Sequence, residues 1–173
     1  MSRTLSLLLL LSLGACRLYF TAAEVAPGEP VRAEAPDTAP VLLDFYIDPT
    51  SLAALDEGSY VLRLVHLDER GREDHAESIA VRPGFRLLLM RPGTWALLEI
   101  CRVPCKSYAV RQKRGYRLRV EDGAVNYLGS VIAELGEGAA FEVRTFPELA
   151  EEALAESWPG LAMPLRGALE PPR

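Results

Sequence analysis

Apolar and polar residues alternate along most of the chain after Val41, and turn-forming residues interrupt the alternation roughly every eight to twelve positions. A period of two places successive side chains on opposite faces of a strand, and frequent turns are typical of sandwiches and barrels. The sequence therefore predicts a mainly β fold, a small antiparallel β-sandwich of about seven strands, with one C-terminal α-helix.

Two glycine-containing dipeptides predict hairpin turns. Asp122-Gly123 suits a type I′ turn. Pairing across it sets three apolar residues opposite three others, namely Tyr116, Leu118 and Val120 opposite Gly129, Tyr127 and Val125. Pro92-Gly93 is expected to join strands at 85–90 and 95–100, which would bring Arg86 beside Glu99 as a cross-strand ion pair. Further strands are predicted at 42–47, 108–113 and 140–146.

A third hairpin is predicted to join 60–67 to 76–82 through the polar tip 68–74, which the two histidines of the chain flank. In one register His66 and His75 face each other and could share a metal ion with Asp68 or Glu73. A three-residue loop with Gly71 left-handed would instead shift the pairing and separate them. Because no carboxylate has a fixed place beside the histidines, we expect a solvated polar tip and no metal site.

One helix is expected after the last strand. Thr145-Phe-Pro-Glu148 has the spacing of a capping box, and Pro159-Gly160 would end the helix. Its buried side would consist of four residues, Leu149, Ala153, Leu154 and Trp158. The region 147–173 is therefore predicted to be a helix and a tail, and the sandwich itself is expected to occupy 41–146.

The first fifteen residues have the layout of an export signal. Arg3 precedes an apolar run that is too short to span a bilayer, and small residues follow it. The ending Leu13-Gly14-Ala15-Cys16 resembles the bacterial lipobox. That resemblance implies cleavage before Cys16 and acylation of its thiol, although an ordinary secretory signal remains the alternative. Arg17 in place of aspartate favours the outer membrane over the inner one, with the protein lipid-anchored and facing the periplasm.

Residues 16–40 are predicted to be the lipidated cysteine and a Pro/Ala-rich tether. The segment contains four prolines among small and charged residues, and such a composition buries too little apolar surface to fold. In a polyproline-like conformation it would reach on the order of 60 Å at about 3.1 Å per residue.

The three cysteines divide into the lipidation site Cys16 and a pair, Cys101 and Cys105. An exported protein meets an oxidising compartment, so we expect the pair to form a disulfide. Residues four apart on a straight strand lie about 13 Å apart, whereas a disulfide needs Cα atoms within about 7 Å. The segment must therefore turn; free thiols or metal ligands are the alternatives.

A run of basic residues without an acidic one lies between Arg102 and Arg119. Its predicted patch for an anionic partner consists of Arg111, Lys113, Arg114, Arg117 and Arg119. On strands, Arg111 with Lys113 and Arg117 with Arg119 would each project from one face, toward anionic head groups, lipopolysaccharide phosphates or an acidic partner. A solvent-facing sheet whose charges pair within the molecule is the alternative. The net charge of −5 gives no support for nucleic-acid binding.

The phrases Arg91-Pro-Gly-Thr-Trp-Ala-Leu-Leu-Glu-Ile100 and Gly123-Ala-Val-Asn-Tyr-Leu-Gly129 resemble segments of PEGA and carboxypeptidase-regulatory-like β-sandwich domains in uncharacterised envelope lipoproteins. The resemblance covers 58–146 and implies a non-catalytic role without a cofactor. No nucleophile elbow is present. The expected function is a membrane-anchored, non-enzymatic binding or scaffolding module. The alternative is a small periplasmic hydrolase or metal-binding protein that uses the tip between His66 and Asp74.

Overall fold

Twelve strands and two short α-helices form the part of the chain that the structure describes, residues 20–31, 37–57, 59–103, 115–136 and 139–170 of a computed structural model. In chain order the strands are β1 (Phe20–Thr21), β2 (Ala23–Val25), β3 (Ala39–Ile47), β4 (Tyr60–Leu67), β5 (Glu73–Ala80), β6 (Gly84–Met90), β7 (Gly93–Arg102), β8 (Arg117–Val120), β9 (Val125–Glu134), β10 (Ala140–Arg144), β11 (Leu165–Gly167) and β12 (Leu169–Glu170). The helices are α1 (Leu52–Glu57), which follows a 3-10 turn at Pro49–Ser51, and α2 (Pro147–Ser157). The mainly β class is confirmed, with more strands than the seven expected. The strand predicted at 108–113 lies outside the described residues.

The strands form two sheets. Sheet I has the order β1-β5-β4-β7-β8-β12, and sheet II has the order β10-β9-β3-β6-β2 with β11 also paired to β9. Most neighbours are antiparallel, but β1 runs parallel to β5, and both β3 and β11 run parallel to β9. The expected mainly antiparallel arrangement is therefore observed, with three parallel pairings that the sequence did not predict.

The inward faces of the two sheets make the main core. Along β3 the residues Leu43 and Phe45 point inward, and the alternation with outward residues follows the predicted period of two. The facing side chains of sheet I include Leu62, Leu64, Trp95 and Leu97, all fully buried. Burying one large apolar side chain stabilises a fold by about 1.5–3 kcal/mol, so this double layer holds the two sheets together.

Helix α2 covers the outer face of sheet II. Ala150 and Trp158 pack there against outward residues of β3, β6 and β9. The capping box is wrong, because the N-cap is Phe146 and no side chain caps the helix. Leu149, expected to be buried, is 52% exposed. Successive helical residues are about 100° apart, which is why Ala150 takes the inward position beside an outward Leu149.

The hairpins predicted at Pro92-Gly93 and Asp122-Gly123 are wrong. Each turn connects strands of different sheets: β6 belongs to sheet II and β7 to sheet I, while β8 belongs to sheet I and β9 to sheet II. Two strands that face each other across a core show the same alternation as two strands paired side by side. The pattern therefore identified buried residues correctly, but it identified neither the neighbours of each strand nor, for Val125 and Tyr127, the face of the sheet. Arg86 and Glu99 accordingly lie in different sheets.

The third predicted hairpin is confirmed. Strands β4 and β5 pair antiparallel, and His66 lies opposite His75, as in one of the two registers that the sequence left open. Gly71 is left-handed, with φ of 72°. The register shifts between His66 and Leu67, so a bulge absorbs the extra residue and the histidines stay opposite each other.

Two short segments close the edges of the sandwich by passing from one sheet to the other. Near the N-terminus, β1 pairs with β5 in sheet I and β2 pairs with β6 in sheet II, with the buried Ala22 between them. Near the C-terminus, β11 pairs with β9 and β12 pairs with β8, with the buried Ala168 between them. The stretch expected to be a tether therefore contributes strands from Phe20 onward, and β3 begins at Ala39.

The C-terminal segment that passes from sheet II to sheet I at Ala168 lies between β8 and β9, which the sequence predicted to pair directly. The amide of Ala168 donates to the carbonyl of Tyr127 on β9, and its own carbonyl accepts from the amide of Arg119 on β8, both at 2.8 Å. Residue 168 thus links the two sheets through its backbone, while its methyl group belongs to the main core.

We expect Ala168→Leu to lower the free energy of unfolding by about 1–3 kcal/mol, because extra methylenes in a filled core force the neighbouring backbone to move. The control is Gly167→Ala, since an added Cβ there meets nothing within 4 Å. That change should stay within about 0.5 kcal/mol. Urea unfolding of both variants provides the measurement, and equal stabilities would contradict a closely packed crossing.

Candidate functional site

Three aromatic rings lie side by side at one end of sheet I, on its inward face. His66 on β4 is paired with His75 on β5 and with Trp95 on β7, so the register alone brings the rings together. The ring of Trp95 lies 5.1 Å from that of His66 and 6.0 Å from that of His75, both edge-on. Trp95 is fully buried, and its Nε1 donates to the carbonyl of Arg91 at 2.8 Å.

Both ring nitrogens of His66 have partners. Nδ1 lies 2.7 Å from a carboxylate oxygen of Asp74, and Nε2 lies 3.3 Å from the carbonyl oxygen of Pro92. Both partners are acceptors, so a neutral ring can donate to only one of them at a time. Asp74 also lies 3.8 Å from a guanidinium nitrogen of Arg91. The imidazole is thus held between the β4–β5 hairpin and the β6–β7 turn.

Glu77 brings a carboxylate into the same inward face. It lies opposite Leu64 in the register, and its Oε1 is 3.3 Å from Nε2 of His75. The buried Oε2 makes no hydrogen bond. Burial raises the pKa of Glu77 above its ordinary value, and the hydrogen bond from His75, with the charges of His75 and His66, opposes that rise.

A shallow cleft of about 430 Å³ lies beside these residues. Its lining consists of His66, Leu67, Asp68, Glu69, Asp74, Pro92, Gly93 and Thr94. Asp68 accepts hydrogen bonds from the amides of Arg70 and Arg72 at 2.9 and 2.8 Å, and it also binds the Arg72 side chain. The hydrogen bonds from Arg72, followed by that from Arg70, lower the pKa of the Asp68 carboxyl. Its carboxylate therefore stabilises the tip of the hairpin.

The arrangement does not gather metal ligands. Across the described ranges, no three His, Cys, Asp or Glu side chains are placed to hold a metal ion. The two histidines do face each other, as one register predicted. However, their Nε2 atoms point to different partners, Pro92 and Glu77. The carboxylate beside His66 is that of Asp74, whereas the metal-binding alternative named Asp68 or Glu73.

The predicted covalent sites lie largely outside the described residues. Cys101 is buried near the end of β7, where it is disulfide-bonded. Cys105 and Cys16 are not among the described residues. The pairing of Cys101 with Cys105 and the acylation of Cys16 therefore stay predictions.

Part of the predicted basic patch is described. Arg117 and Arg119 are exposed and alternate with the buried Leu118 and Val120 on β8. They share the outer face of sheet I, as the sequence predicted for these two. Arg119 forms an ion pair with Glu121 at 3.2 Å. The other three members, Arg111, Lys113 and Arg114, lie outside the described residues.

Two half-buried ion pairs were not predicted. Arg63 on β4 contacts Glu99 on β7 at 2.5 Å, and Arg86 on β6 contacts Glu24 on β2. Arg86 also donates to the carbonyl of Ala80 at 3.2 Å, and burial lowers its pKa. Both pairs join residues far apart in the chain, so only the strand order could have revealed them.

Comparison with known protein families, with curated proteins and with solved structures finds no match for this chain. The resemblance of 58–146 to PEGA and carboxypeptidase-regulatory-like domains stays a prediction. Within the ranges that the structure covers, no helix has the length and apolarity needed to cross a bilayer.

Gly93 sets the position of His66. Its φ is 132°, and an added Cβ would overlap Nε2 of His66. We expect Gly93→Ala to cost about 2–4 kcal/mol of stability, from backbone strain and the displaced imidazole together. Gly71→Ala is the control, since Gly71 also has a positive φ but open space around it, and should cost only about 1–2 kcal/mol. Urea unfolding measures both costs, and similar values would show that the imidazole is not fixed.

Glu77 should make stability fall as pH rises. A carboxyl group whose folded pKa is raised binds its proton more tightly in the folded state. Its stabilising contribution is therefore complete below the unfolded value of about 4.5 and is lost as pH rises through the folded pKa. We expect Glu77→Gln, which keeps the shape without the charge, to flatten that fall in the free energy of unfolding.

The measurement is urea unfolding at intervals from acidic to neutral pH. Glu73→Gln is the matched control on the same strand, because Glu73 is exposed, and it should keep the wild-type pH profile. A Glu77→Gln profile parallel to that of the wild type would contradict the assignment.

Proposed function

We propose that this chain is a membrane-anchored envelope lipoprotein whose β-sandwich is a non-enzymatic module that binds or scaffolds another envelope component. The proposed anchor is Cys16, acylated after removal of residues 1–15, with the folded part on the periplasmic side of the outer membrane. The lipobox-like ending Leu13-Gly14-Ala15-Cys16 supports the anchor. A disulfide at Cys101 is stable in that oxidising compartment.

The observation that carries the non-enzymatic part is how the cleft beside His66 uses its polar groups. Asp74 and Pro92 occupy the two ring nitrogens, and the backbone of the hairpin tip occupies Asp68. A general base or a metal ligand needs a nitrogen lone pair directed at its substrate or metal. These side chains instead fasten two turns to each other, which favours a structural role over hydrolysis.

The proposed binding surface is the outer face of β8. Arg117 and Arg119 are exposed there, and the predicted patch would add Arg111, Lys113 and Arg114. An exposed group of guanidinium and ammonium charges suits an acidic protein or an anionic group. Of these two described arginines, Arg117 is the better candidate for such contacts, because Arg119 already forms an ion pair with Glu121.

The anchor is tested with cells that express the full chain and receive a palmitate label. We expect the wild type to take up the label and to sediment with membranes, and Cys16→Ser to lose both properties. Two or three long acyl chains with about 0.8 kcal/mol per buried methylene account for the stable attachment, whereas one chain would bind only marginally.

The matched control replaces the other two cysteines together, Cys101→Ser with Cys105→Ser, and should keep the label. An unlabelled wild type, or a Cys16→Ser variant that keeps the label, would overturn the proposed anchor.

A further inference from the structure

The first described strand begins only four residues after the proposed lipidation site. Strand β1 starts at Phe20, and Cys16 is the acylated residue in the proposed function on which this inference rests. Whatever conformation the residues between them adopt, four residues span at most about 14 Å at 3.3–3.6 Å each. The lipid and the edge of the sandwich are therefore much closer than the 60 Å expected of a tether.

Because the reach from Cys16 is short, the strand order determines which edge of the sandwich can lie against the membrane. β1 is the edge strand of sheet I, and β8 lies four strands away in the order β1-β5-β4-β7-β8. Strands lie about 4.8 Å apart, so β8 is about 19 Å from β1. If the β8 edge rested on the membrane, β1 would stand about 19 Å above it, beyond the reach of the acylated cysteine.

The two broad faces of the sandwich offer the membrane no better contact. Helix α2 covers the outer face of sheet II. In the middle of the outer face of sheet I, Val65, Ser78 and Ala96 are at most 9% exposed, although they point away from the main core. A membrane lying flat against sheet I would meet none of these residues.

We infer that the sandwich rests on its own membrane by the edge that carries β1 and β2, and that β8 is held away from the head groups. The occupant of the β1–β2 edge is the lipid surface in which the acyl chains are inserted. Arg117 and Arg119 then face the periplasm, so their anionic partner is an envelope component and not the head groups beneath the protein.

One register row provides a matched pair of probes. Ala76, Val65, Ala96 and Arg117 lie beside one another on β5, β4, β7 and β8. Ala76 and Arg117 are both exposed on the outer face of sheet I, at the same level along the strands and about 14 Å apart. They differ mainly in their distance from β1.

The experiment places a fluorescent amino acid at position 76 or 117 of the full, acylated chain in vesicles that contain a head-group quencher. We expect quenching at 76 to exceed quenching at 117 by about twofold or more, because three strand spacings separate the probes. Twenty Gly/Ser residues inserted between positions 18 and 19 should abolish the difference, since such a linker spans about 25 Å.

Palmitate labelling of the same samples separates the two possible failures. An acylated protein with equal quenching at both positions, or with stronger quenching at 117, overturns the orientation and leaves the anchor intact. A protein without acyl chains overturns the anchor and the orientation together.

Discussion

The fold depends on closing the edges of a two-sheet sandwich with its own chain ends. An open edge presents unpaired amide and carbonyl groups, which recruit strands from other molecules. Here β1 and β2 cover one edge of each sheet, and β11 and β12 contribute pairing near the opposite side. Each segment changes sheets at a single small, buried residue, Ala22 or Ala168. A larger side chain at either position would separate the two strands that the residue connects.

Edge closure also explains where the buried charges lie. Strand β2 has three residues, too few for an apolar pattern to fix its register against β6. The ion pair between Glu24 and the buried Arg86 supplies a specific partner on the neighbouring strand. A buried charge is costly when it is alone, so any register that separates this pair is penalised. The short strand is therefore positioned by charge, whereas the long strands are positioned by apolar packing.

Two predicted hairpins were wrong because the alternation of apolar and polar residues does not show which strands are neighbours. Leu118 and Val120 point into the main core, as expected. Tyr127 and Val125 are buried, also as expected, but they lie under α2 on the face of sheet II that points away from the main core. Alternation marks a face and leaves the choice of neighbouring strand open. The β4–β5 hairpin was predictable because its polar tip and Gly71 fix a local connection. Strands of two or three residues at the edges have no period to detect.

At the candidate site, the sequence predicted proximity but not function. His66 and His75 face each other because a bulge between His66 and Leu67 compensates for the left-handed Gly71, which on its own was expected to separate them. Their third ring, Trp95, came from β7, whose pairing with β4 depends on contacts distant in sequence. Asp68 was a candidate ligand in the metal-binding alternative, yet an aspartate at the start of a tight turn accepts hydrogen bonds from the turn's amides first.

The same local preference leaves Asp74 as the carboxylate beside His66 and ties the hairpin to the β6–β7 turn through Pro92. These contacts fasten the β4–β5 hairpin and the β6–β7 turn to each other at one end of sheet I. One partly buried imidazole, with 12% of its side chain exposed, therefore joins two turns that are distant in sequence.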